Sequence, residues 1–447
     1  MIKNFKTIDF PWKIFFISIS IWLIIAGANF FYQYCIGGYT GTGYLFPISV
    51  VYPNQFLVSS FLFAFAFLFL GIWGFKSIEK LNSGLLILLC ITLVLVGNLA
   101  QGNFDISFLQ PFYLKGRQYY TDVVEITSGA DWLRNFNNNL EDFQMHTRTH
   151  PPFATLLQYW ILKISNLETL AIAFFVLGSL SFLILHKMLF YLGFDDHRRK
   201  WLMVLFAVIP SVNIYLLVSL DALILTTTLV SLLGVSRIFY KKRIDGVAFF
   251  LVAMGVVLTN LLTFSGLFLF AFLGFLGLYF LLKRDFRFIV LLLASVIVFI
   301  VVLLLIYFTT GYNNLETFLH ASHSENPKGF RLLYQPFVYF MTRLEGVGEI
   351  LFFLSFGFLA ILFSKKERID VFTDKNNNIL FFSAIAALSA ILITGAYGTG
   401  ETARACLFMT PFFLILLKNI ENQKFEILYY LCLFQTFGMQ MIANFYW

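Results

Sequence analysis

The sequence predicts an all-α polytopic membrane protein with about 13 transmembrane helices and two long external loops that contain short interfacial helices. Of the 447 residues, 59% are hydrophobic and only 12% are charged, whereas soluble domains carry about 25% charged residues. The mean hydropathy is +0.81. Apolar runs of about 17 residues or more recur along the chain, and such a run spans a hydrocarbon core. These observations exclude a soluble enzyme, a disulfide-stapled secreted domain and a disordered chain.

Residues 1–447 are predicted to form a single integral membrane domain. It divides into three N-terminal spans, a first external loop, central spans, a second external loop and C-terminal spans. The boundaries of these five regions are 1–100, 101–166, 167–308, 309–347 and 348–447. The predicted spans are 13–33, 55–75, 84–100, 167–186, 201–217, 219–236, 246–263, 265–282, 288–308, 348–363, 378–396, 401–417 and 427–446.

Two of the apolar runs are too long for one span and are divided by a charge argument. Basic clusters flank 246–282 on both sides. The positive-inside rule places both clusters in the cytoplasm, so the run must cross the membrane twice. Asn260 and Gly266 lie where the turn should fall. The same argument divides 201–236, with a turn near Ser219 and Asp221.

The distribution of charge then predicts the orientation. With a cytoplasmic N-terminus, 22 of the 31 Lys and Arg residues lie inside and 9 outside, which is the asymmetry of the positive-inside rule. The net charge of +7 therefore reports topology, and we expect no nucleic-acid partner. The expected location is a plasma (inner) membrane, with the long loops and the active site on the external face.

Acidic residues in the first external loop are candidates for proton transfer. Asp122 and Glu125 are spaced i, i+3, so on one helix they would share a face. Two carboxylates in different environments can have separated pKa values, which suits one of them to act as a base. Ordinary solvated acids at a helix end are the alternative.

A basic cluster follows in the same loop. His146, Arg148 and His150 would point the same way on an extended chain, and Pro151 and Pro152 then introduce a short apolar stretch, 153–164. These side chains are candidates for binding an anionic group. Histidines at this spacing can also bind zinc, but the sequence has no third ligand at matching spacing.

Further charged residues are predicted at the external ends of helices. Asp221 lies in an otherwise uncharged apolar stretch, where an acid indicates function or an N-cap. Glu401 and Arg404 begin a later span and either pair with each other or hold a lipid phosphate. Arg331 is a further basic candidate, in the second external loop.

The segment 122–239 resembles the GT-C superfamily of membrane glycosyltransferases, particularly the protein O-mannosyltransferase and aminoarabinose-transferase branch. The resemblance lies in the order of several motifs. They are Tyr120-Thr121-Asp122, His150-Pro151-Pro152-Phe153, a span with Pro210, Ser219-Leu220-Asp221, and the late Gly400-Glu401-Thr402-Ala403-Arg404 with Pro411. Two departures are the valines that separate Asp122 from Glu125 and the two extra spans before the acidic loop.

The resemblance implies transfer of a sugar from a polyprenyl-phosphate donor to an acceptor hydroxyl, with inversion of configuration. The acceptor would be a glycan, a lipid or a protein. By this likeness Asp122 in the catalytic loop 101–166 is the general base, and Glu125 is the second acid. Arginines would neutralise the phosphate without a metal cofactor; a divalent cation at the acids is the alternative.

Two other classes of function remain as alternatives. A transporter or flippase for a lipid-linked or anionic solute predicts ionisable residues near the bilayer midplane and broken helices. The centres of the predicted spans are nearly free of ionisable residues, which favours an enzyme at the interface. A structural membrane protein predicts that Asp122→Asn has no effect on any activity.

Overall fold

The computed structural model describes residues 10–41, 43, 46, 48, 52–114, 118–397 and 401–445. Within these residues the fold is all-α apart from one antiparallel pair of short strands. The first helices are α1 (Trp12–Phe30), α2 (Val58–Ser77), α3 (Ser83–Leu99), α4 (Gln110–Tyr113), α5 (Tyr119–Val123), α6 (Gly129–Asn135), α7 (Met145–Thr149) and α8 (Phe153–Ile164). The central helices are α9 (Leu167–Tyr191), α10 (Asp196–Val208), α11 (Pro210–Tyr215), α12 (Leu220–Lys241), α13 (Gly246–Leu262), α14 (Leu267–Leu281) and α15 (Arg287–Thr310).

The last helices are α16 (Asn314–Glu325), α17 (Pro336–Leu354), α18 (Phe356–Phe363), α19 (Glu367–Val371), α20 (Lys375–Ile393), α21 (Thr402–Ala405), α22 (Thr410–Leu414) and α23 (Asn422–Ile442). Short π-helical segments are Phe31–Cys35 and Asp105–Leu109. Short 3-10 segments are Ile78–Lys80, Asn137–Asp142, Phe264–Gly266, Arg331–Leu333, Leu407–Met409 and Ile415–Asn419. The strands β1 (Tyr52–Pro53) and β2 (Ala443–Asn444) pair Tyr52 with Asn444.

Seven helices in the described part of the chain are long and apolar enough to cross a membrane, and a bent pair makes an eighth. The seven are Trp12–Cys35, Val58–Lys80, Leu167–Tyr191, Leu220–Lys241, Phe264–Leu281, Arg287–Thr310 and Lys375–Ile393. The protein thus has the helices of a multi-pass integral membrane protein, as the hydropathy predicts. The other predicted spans correspond to helices that are shorter, broken or less apolar, so the number thirteen stays a prediction.

The core of the bundle forms where α12 packs between α9 and α13. Small residues allow the close approach of α12 and α13. A Cβ atom on Gly255 would lie 2.5 Å from the backbone nitrogen of Ser231, and one on Gly234 would lie 2.7 Å from the carbonyl oxygen of Ala248. A larger residue at either glycine would therefore push the two helices apart.

A proline breaks the segment predicted as one span over 201–217. Helix α10 ends at Val208 and α11 begins at Pro210, because proline has no N–H to continue the hydrogen-bond ladder. Asn213 compensates for the break, since its side-chain amide donates to the carbonyl of Ala207 (2.8 Å). Gln440 of α23 in turn donates to the side-chain oxygen of Asn213 (2.9 Å).

Over 309–363 the sequence predicts a long loop followed by one span, and the structure has helices in both parts. Helix α16 and the first part of α17 occupy most of the predicted second loop, and α17 begins at Pro336, a residue favoured in the first helical turn. Helices α17 and α18 meet at an angle of 101°, at Ser355 with φ of 105°. Gln435 bridges this bend: its amide nitrogen donates to Phe352 O (2.8 Å) and its oxygen accepts from Phe356 N (3.0 Å).

The predicted cytoplasmic loops lie together at one end of the bundle, which we call the basic end. They interact through ion pairs, three of which join segments far apart in sequence and one of which lies within a single loop. These pairs are His197 with Glu79, Lys424 with Glu367, Lys418 with Asp374, and Arg237 with Asp245. Helix α12 ends here at Lys241, so its first turn, with Asp221, lies at the opposite end.

Candidate functional site

A cavity of about 600 Å³ lies at the end of the bundle opposite the basic end. Several sequence-distant segments contribute ionisable side chains to its wall. These side chains are Tyr119, His146, His150, Asp221, Glu325, Tyr397, Glu401 and Arg404. Apolar side chains of α14, α16 and α20 line the remainder, including Leu267, Phe318 and Ile391. The cavity thus joins a polar region to an apolar one.

Arg404 forms the centre of the polar region. Its Nη2 atom lies 2.5 Å from Glu401 Oε2, and its Nε atom lies 3.2 Å from Asp221 Oδ2. The three side chains are only 15–25% exposed. The contact with Glu401 is a charge-assisted hydrogen bond, which fixes geometry strongly when water is largely excluded, and the contact with Asp221 is an ion pair. The predicted outer-end residues of two separate helices therefore form one ion-pair cluster.

Asp221 reaches this cluster because of how α12 begins. Ser219 is the N-cap and its hydroxyl accepts the N–H of Ala222 (3.1 Å), as serine commonly does at a helix start. Asp221 is therefore free of the capping role that the sequence left open for it. Its carboxylate instead faces Arg404 and the cavity.

The segment that carries Glu401 and Arg404 is held by a buried acid that the sequence analysis did not single out. Glu349 of α17 is 3% exposed, and its Oε2 atom accepts the N–H groups of Thr402 (2.7 Å) and Ala403 (3.4 Å). Glu401 itself has a φ of 62°, an unusual conformation for a residue other than glycine. The signal for Glu349 was its i, i+4 spacing from Glu345 in a mostly apolar helix that also carries Arg343.

Three aromatic rings form a second part of the polar wall. Tyr119 lies with its ring centroid 5.8 Å from His146 and 5.7 Å from His150, and the two imidazoles are 6.0 Å apart. The segment is helical rather than extended, and i, i+4 spacing on a helix brings both histidines to the cavity. The sequence analysis did not predict Tyr119 as a site residue, although it directly precedes the Tyr120-Thr121-Asp122 motif.

His150 is held as a neutral imidazole. Its Nδ1 atom donates to the carbonyl of His146 (3.1 Å), which leaves Nε2 as the acceptor nitrogen of the ring. Burial lowers the pKa of His150 to about 4, because the apolar surroundings disfavour the charged form. His150 therefore adds a hydrogen-bonding group rather than a positive charge to the cavity at neutral pH.

The predicted base, Asp122, is close to the cavity but does not line it. Its carboxylate is 6% exposed and accepts the N–H of Gln144 (3.0 Å), the N-cap residue of α7. Burial raises the pKa of Asp122, and the hydrogen bond from Gln144 opposes this rise. In this structure Asp122 thus anchors the helix that carries His146.

Three other predicted site residues also lie outside the cavity wall. Helix α5 ends at Val123, so Glu125 is exposed in a turn and does not share a helix face with Asp122. Arg148 points away from the two histidines, with its Nη1 atom 3.8 Å from Glu141. Arg331 begins a 3-10 segment after α16 and does not line the cavity.

Some parts of the predicted motifs lie outside the described residues. These are Gly400, the first residue of the late motif, and residues 1–9, the predicted cytoplasmic N-terminus. In the described part of the chain, no three His, Cys, Asp or Glu side chains are grouped as metal ligands. Comparisons with protein-family models, with curated proteins and with solved structures find no match to this chain.

Proposed function

We propose that this protein is an inverting glycosyltransferase of the GT-C type, which moves a sugar from a polyprenyl-phosphate donor to an acceptor hydroxyl. The observation that carries the proposal is the cavity, where Arg404, three acids and two histidines face an apolar wall. A lipid-phosphate sugar has these same two chemical parts, a charged head and a hydrocarbon chain. The resemblance of the segment 122–239 to this superfamily supports the same reaction.

Arg404 is the group that we assign to the donor phosphate. A guanidinium binds phosphate through parallel hydrogen bonds, and it can stabilise the negative charge that develops on the leaving phosphate. Arg404 is held by Asp221 and Glu401 before the donor arrives, so its position is fixed in advance. The apolar side chains of Leu267 and Ile391 would then contact the polyprenyl chain.

We assign the role of general base to Asp221 in preference to Asp122. A base must lie within hydrogen-bonding reach of the hydroxyl that it deprotonates, and Asp221 lines the cavity whereas Asp122 does not. A phosphate that engages Arg404 would weaken its ion pair with Asp221 and leave that carboxylate to accept a proton. Asp122 then acts on the reaction through α7, by positioning His146 and His150.

The proposal also includes the membrane topology. Thirteen spans in a plasma membrane, with a cytoplasmic basic end, place the cavity at the external face, where lipid-linked sugars are consumed. Support comes from the separation of the two ends: the loops with most of the positive charge lie together at the basic end, as the positive-inside rule expects of cytoplasmic loops.

The test is transfer of labelled sugar by purified membranes supplied with a panel of polyprenyl-phosphate sugars. We expect Asp221→Asn to lower kcat by about 10²–10⁴-fold, the usual contribution of general base catalysis. Asp122→Ala should mainly raise KM, because the loss of the bond to Gln144 displaces α7, whereas Asp122→Asn keeps an acceptor oxygen for Gln144 and should change kcat little. Asp131→Asn is the control, since Asp131 is exposed and pairs only with exposed Arg134 in the described structure.

Each remaining outcome has a distinct meaning. Full transfer by folded Asp221→Asn protein would remove Asp221 from the role of base. Loss of kcat in Asp122→Asn alone would return that role to Asp122. If no donor supports transfer but the lipid binds saturably, the enzymatic proposal fails.

One observation favours a transporter as the second candidate. Helices α17 and α18 are a broken pair with a bend of 101°, and Glu345 and Glu349 are buried in α17. Broken helices beside buried acids are typical of transporters. Movement of the labelled lipid between the leaflets of a vesicle, without sugar transfer, would support this function.

A further inference from the structure

A second, open cavity of about 500 Å³ lies at the basic end, between α14 and α20. We call it the α14–α20 groove. Its apolar wall consists of Phe275, Phe372, Ile379, Phe382 and Ala386. The rings of Phe372 and Phe382 are stacked with centroids 5.4 Å apart, so these two side chains form one continuous apolar face in the wall. Such a surface suits an acyl chain rather than a polar solute.

The other lining side chains are polar and lie toward the end of the two helices. They are Tyr279, Thr373, Lys375, Asn378 and Ser383. Asn378 Oδ1 is buried and has no hydrogen-bond partner in the described structure. A buried amide oxygen without a partner is costly, and a hydroxyl or an amino group of a ligand would satisfy it.

The charge at the groove is positive. Lys375 is the one charged side chain among the described lining residues. Asp374, its neighbour, does not cancel this charge because it pairs with Lys418 (2.8 Å). Lys283 adds a second cation at the rim: its Nζ atom contacts the Tyr279 hydroxyl and lies 3.9 Å from the centroid of that ring.

We propose that the α14–α20 groove binds an anionic phospholipid from the leaflet at the basic end. The phosphate would contact Lys375 and the hydroxyls of Tyr279 and Thr373, and an acyl chain would lie along the Phe372–Phe382 wall. Basic pockets between transmembrane helices bind anionic lipid headgroups for this reason. The proposal does not depend on the glycosyltransferase function.

The position of the groove also predicts a consequence for the cavity. Helices α14 and α20 both continue to the cavity, where Ala271 and Ala390 line its wall. Each lies four residues, about one helical turn, from the groove residues Phe275 and Ala386. A lipid that fills the groove would therefore support the two helices that form the apolar wall of the cavity.

The test is native mass spectrometry of the purified full-length protein titrated with phosphatidylglycerol or with phosphatidylcholine of the same chain length. We expect wild-type protein to retain phosphatidylglycerol preferentially and Lys375→Ala to retain it about fivefold less, the effect of one lysine near an anionic headgroup. Lys365→Ala is the matched control, because Lys365 is exposed at the same end outside the groove. Ala386→Trp should displace both lipids by filling the groove.

Equal retention of phosphatidylglycerol by Lys375→Ala and Lys365→Ala protein would overturn the proposal. Equal retention of the two lipids by wild-type protein would also overturn it, because the groove would then hold only bulk lipid. Lys375 is exposed, so its substitution should leave the thermal unfolding midpoint unchanged and the comparison valid.

Discussion

His150 shows most directly how burial changes the chemistry of one residue in this protein. The sequence alone presents it as part of a basic cluster with His146 and Arg148. In the structure it lies in the polar wall of the cavity beside Tyr119, its Nδ1 atom donates to a carbonyl, and burial lowers its pKa to about 4. The sequence predicts His150 as a binding residue and the structure places it in the cavity wall, but its charge depends on surroundings that sequence does not describe.

This pKa shift predicts how stability changes with pH. The folded pKa of about 4 lies below the ordinary value of 6.5, so the unfolded chain binds more protons between these values. The contribution of the neutral His150 to the free energy of unfolding is therefore fully present above pH 6.5 and is lost as the pH drops toward 4. We expect the unfolding temperature of wild-type protein to fall more between pH 7.5 and 5 than that of His150→Asn protein.

The control for this experiment is His323→Asn, because His323 is exposed on α16. That variant should follow the pH dependence of wild-type protein. The same pH dependence in His150→Asn and wild-type protein would show that His150 is not buried as a neutral imidazole.

At the scale of elements, apolar runs and turn residues were sufficient to predict where many helices begin and end. The sequence predicted turns near Asn260–Gly266 and near Ser219, and the structure has helix ends at Leu262 and Leu220. The short helix over 153–164 is also present. These boundaries depend on local capping and on runs of apolar residues, which a sequence displays directly.

The elements that could not be predicted depend on distant partners. The bend between α17 and α18 is stabilised by Gln435, 80 residues away from Ser355, which supplies the hydrogen bonds that a continuous helix would make. Within a membrane, irregular backbone persists only where such partners satisfy it. The contact by which Asp122 positions α7 likewise could not be predicted, because its partner Gln144 lies 22 residues away across a loop.

Helix α17 also yields a prediction about the candidate site. Glu349 accepts hydrogen bonds from the backbone N–H groups of Thr402 and Ala403, which are the two residues that directly precede Arg404. Without its carboxylate these buried N–H groups lose their acceptor, which costs about 1–3 kcal/mol each, and Arg404 loses its fixed position. We expect Glu349→Ala to lower sugar transfer by about 10²-fold, the effect of a small misplacement of a catalytic group.

Glu349→Gln is the matched variant, since it keeps an acceptor oxygen at the same distance. It should restore most of the transfer and of the affinity for the donor lipid. If Glu349 only stabilised the fold, thermal stability and activity would fall together, and Glu349→Ala and Glu349→Gln would lose the same amount of each. Failure of Gln to rescue the activity of a stable protein would show that the charge of Glu349, rather than its hydrogen bonds, is required.

At the scale of the whole molecule, the question is how many helices cross the membrane. Among the residues that the structure describes, seven helices qualify by length and composition, and the bent pair adds an eighth, whereas the sequence predicts thirteen. The difference lies in segments such as α3, which has 17 residues, and the broken pair α10 and α11. The pair α10 and α11 is largely buried, and α3 buries one face against other helices, so packing and internal hydrogen bonds can satisfy backbone that lipid alone would not tolerate.

Labelling of introduced cysteines distinguishes the two topologies. Glu125 lies in the first predicted external loop, between α3 and α9, and Lys242 lies directly after α12. Both residues are exposed. If thirteen helices cross, three precede Glu125 and six precede Lys242, so the two positions lie on opposite sides. If only the seven qualifying helices cross, two and four precede them, and both positions lie on the same side. We expect an impermeant maleimide to label Glu125→Cys protein in intact cells and Lys242→Cys protein only after permeabilisation.

The exposed Cys35 would be replaced by serine first, and the parent Cys35→Ser protein would provide the unlabelled control. Labelling of both positions from one side would reject the thirteen-span topology. Labelling of Lys242→Cys alone in intact cells would reverse the orientation and place the cavity with Arg404 at the cytoplasmic face. The proposed donor would then have to be used before it crosses the membrane, so this experiment also limits which sugar-lipid pool the enzyme can reach.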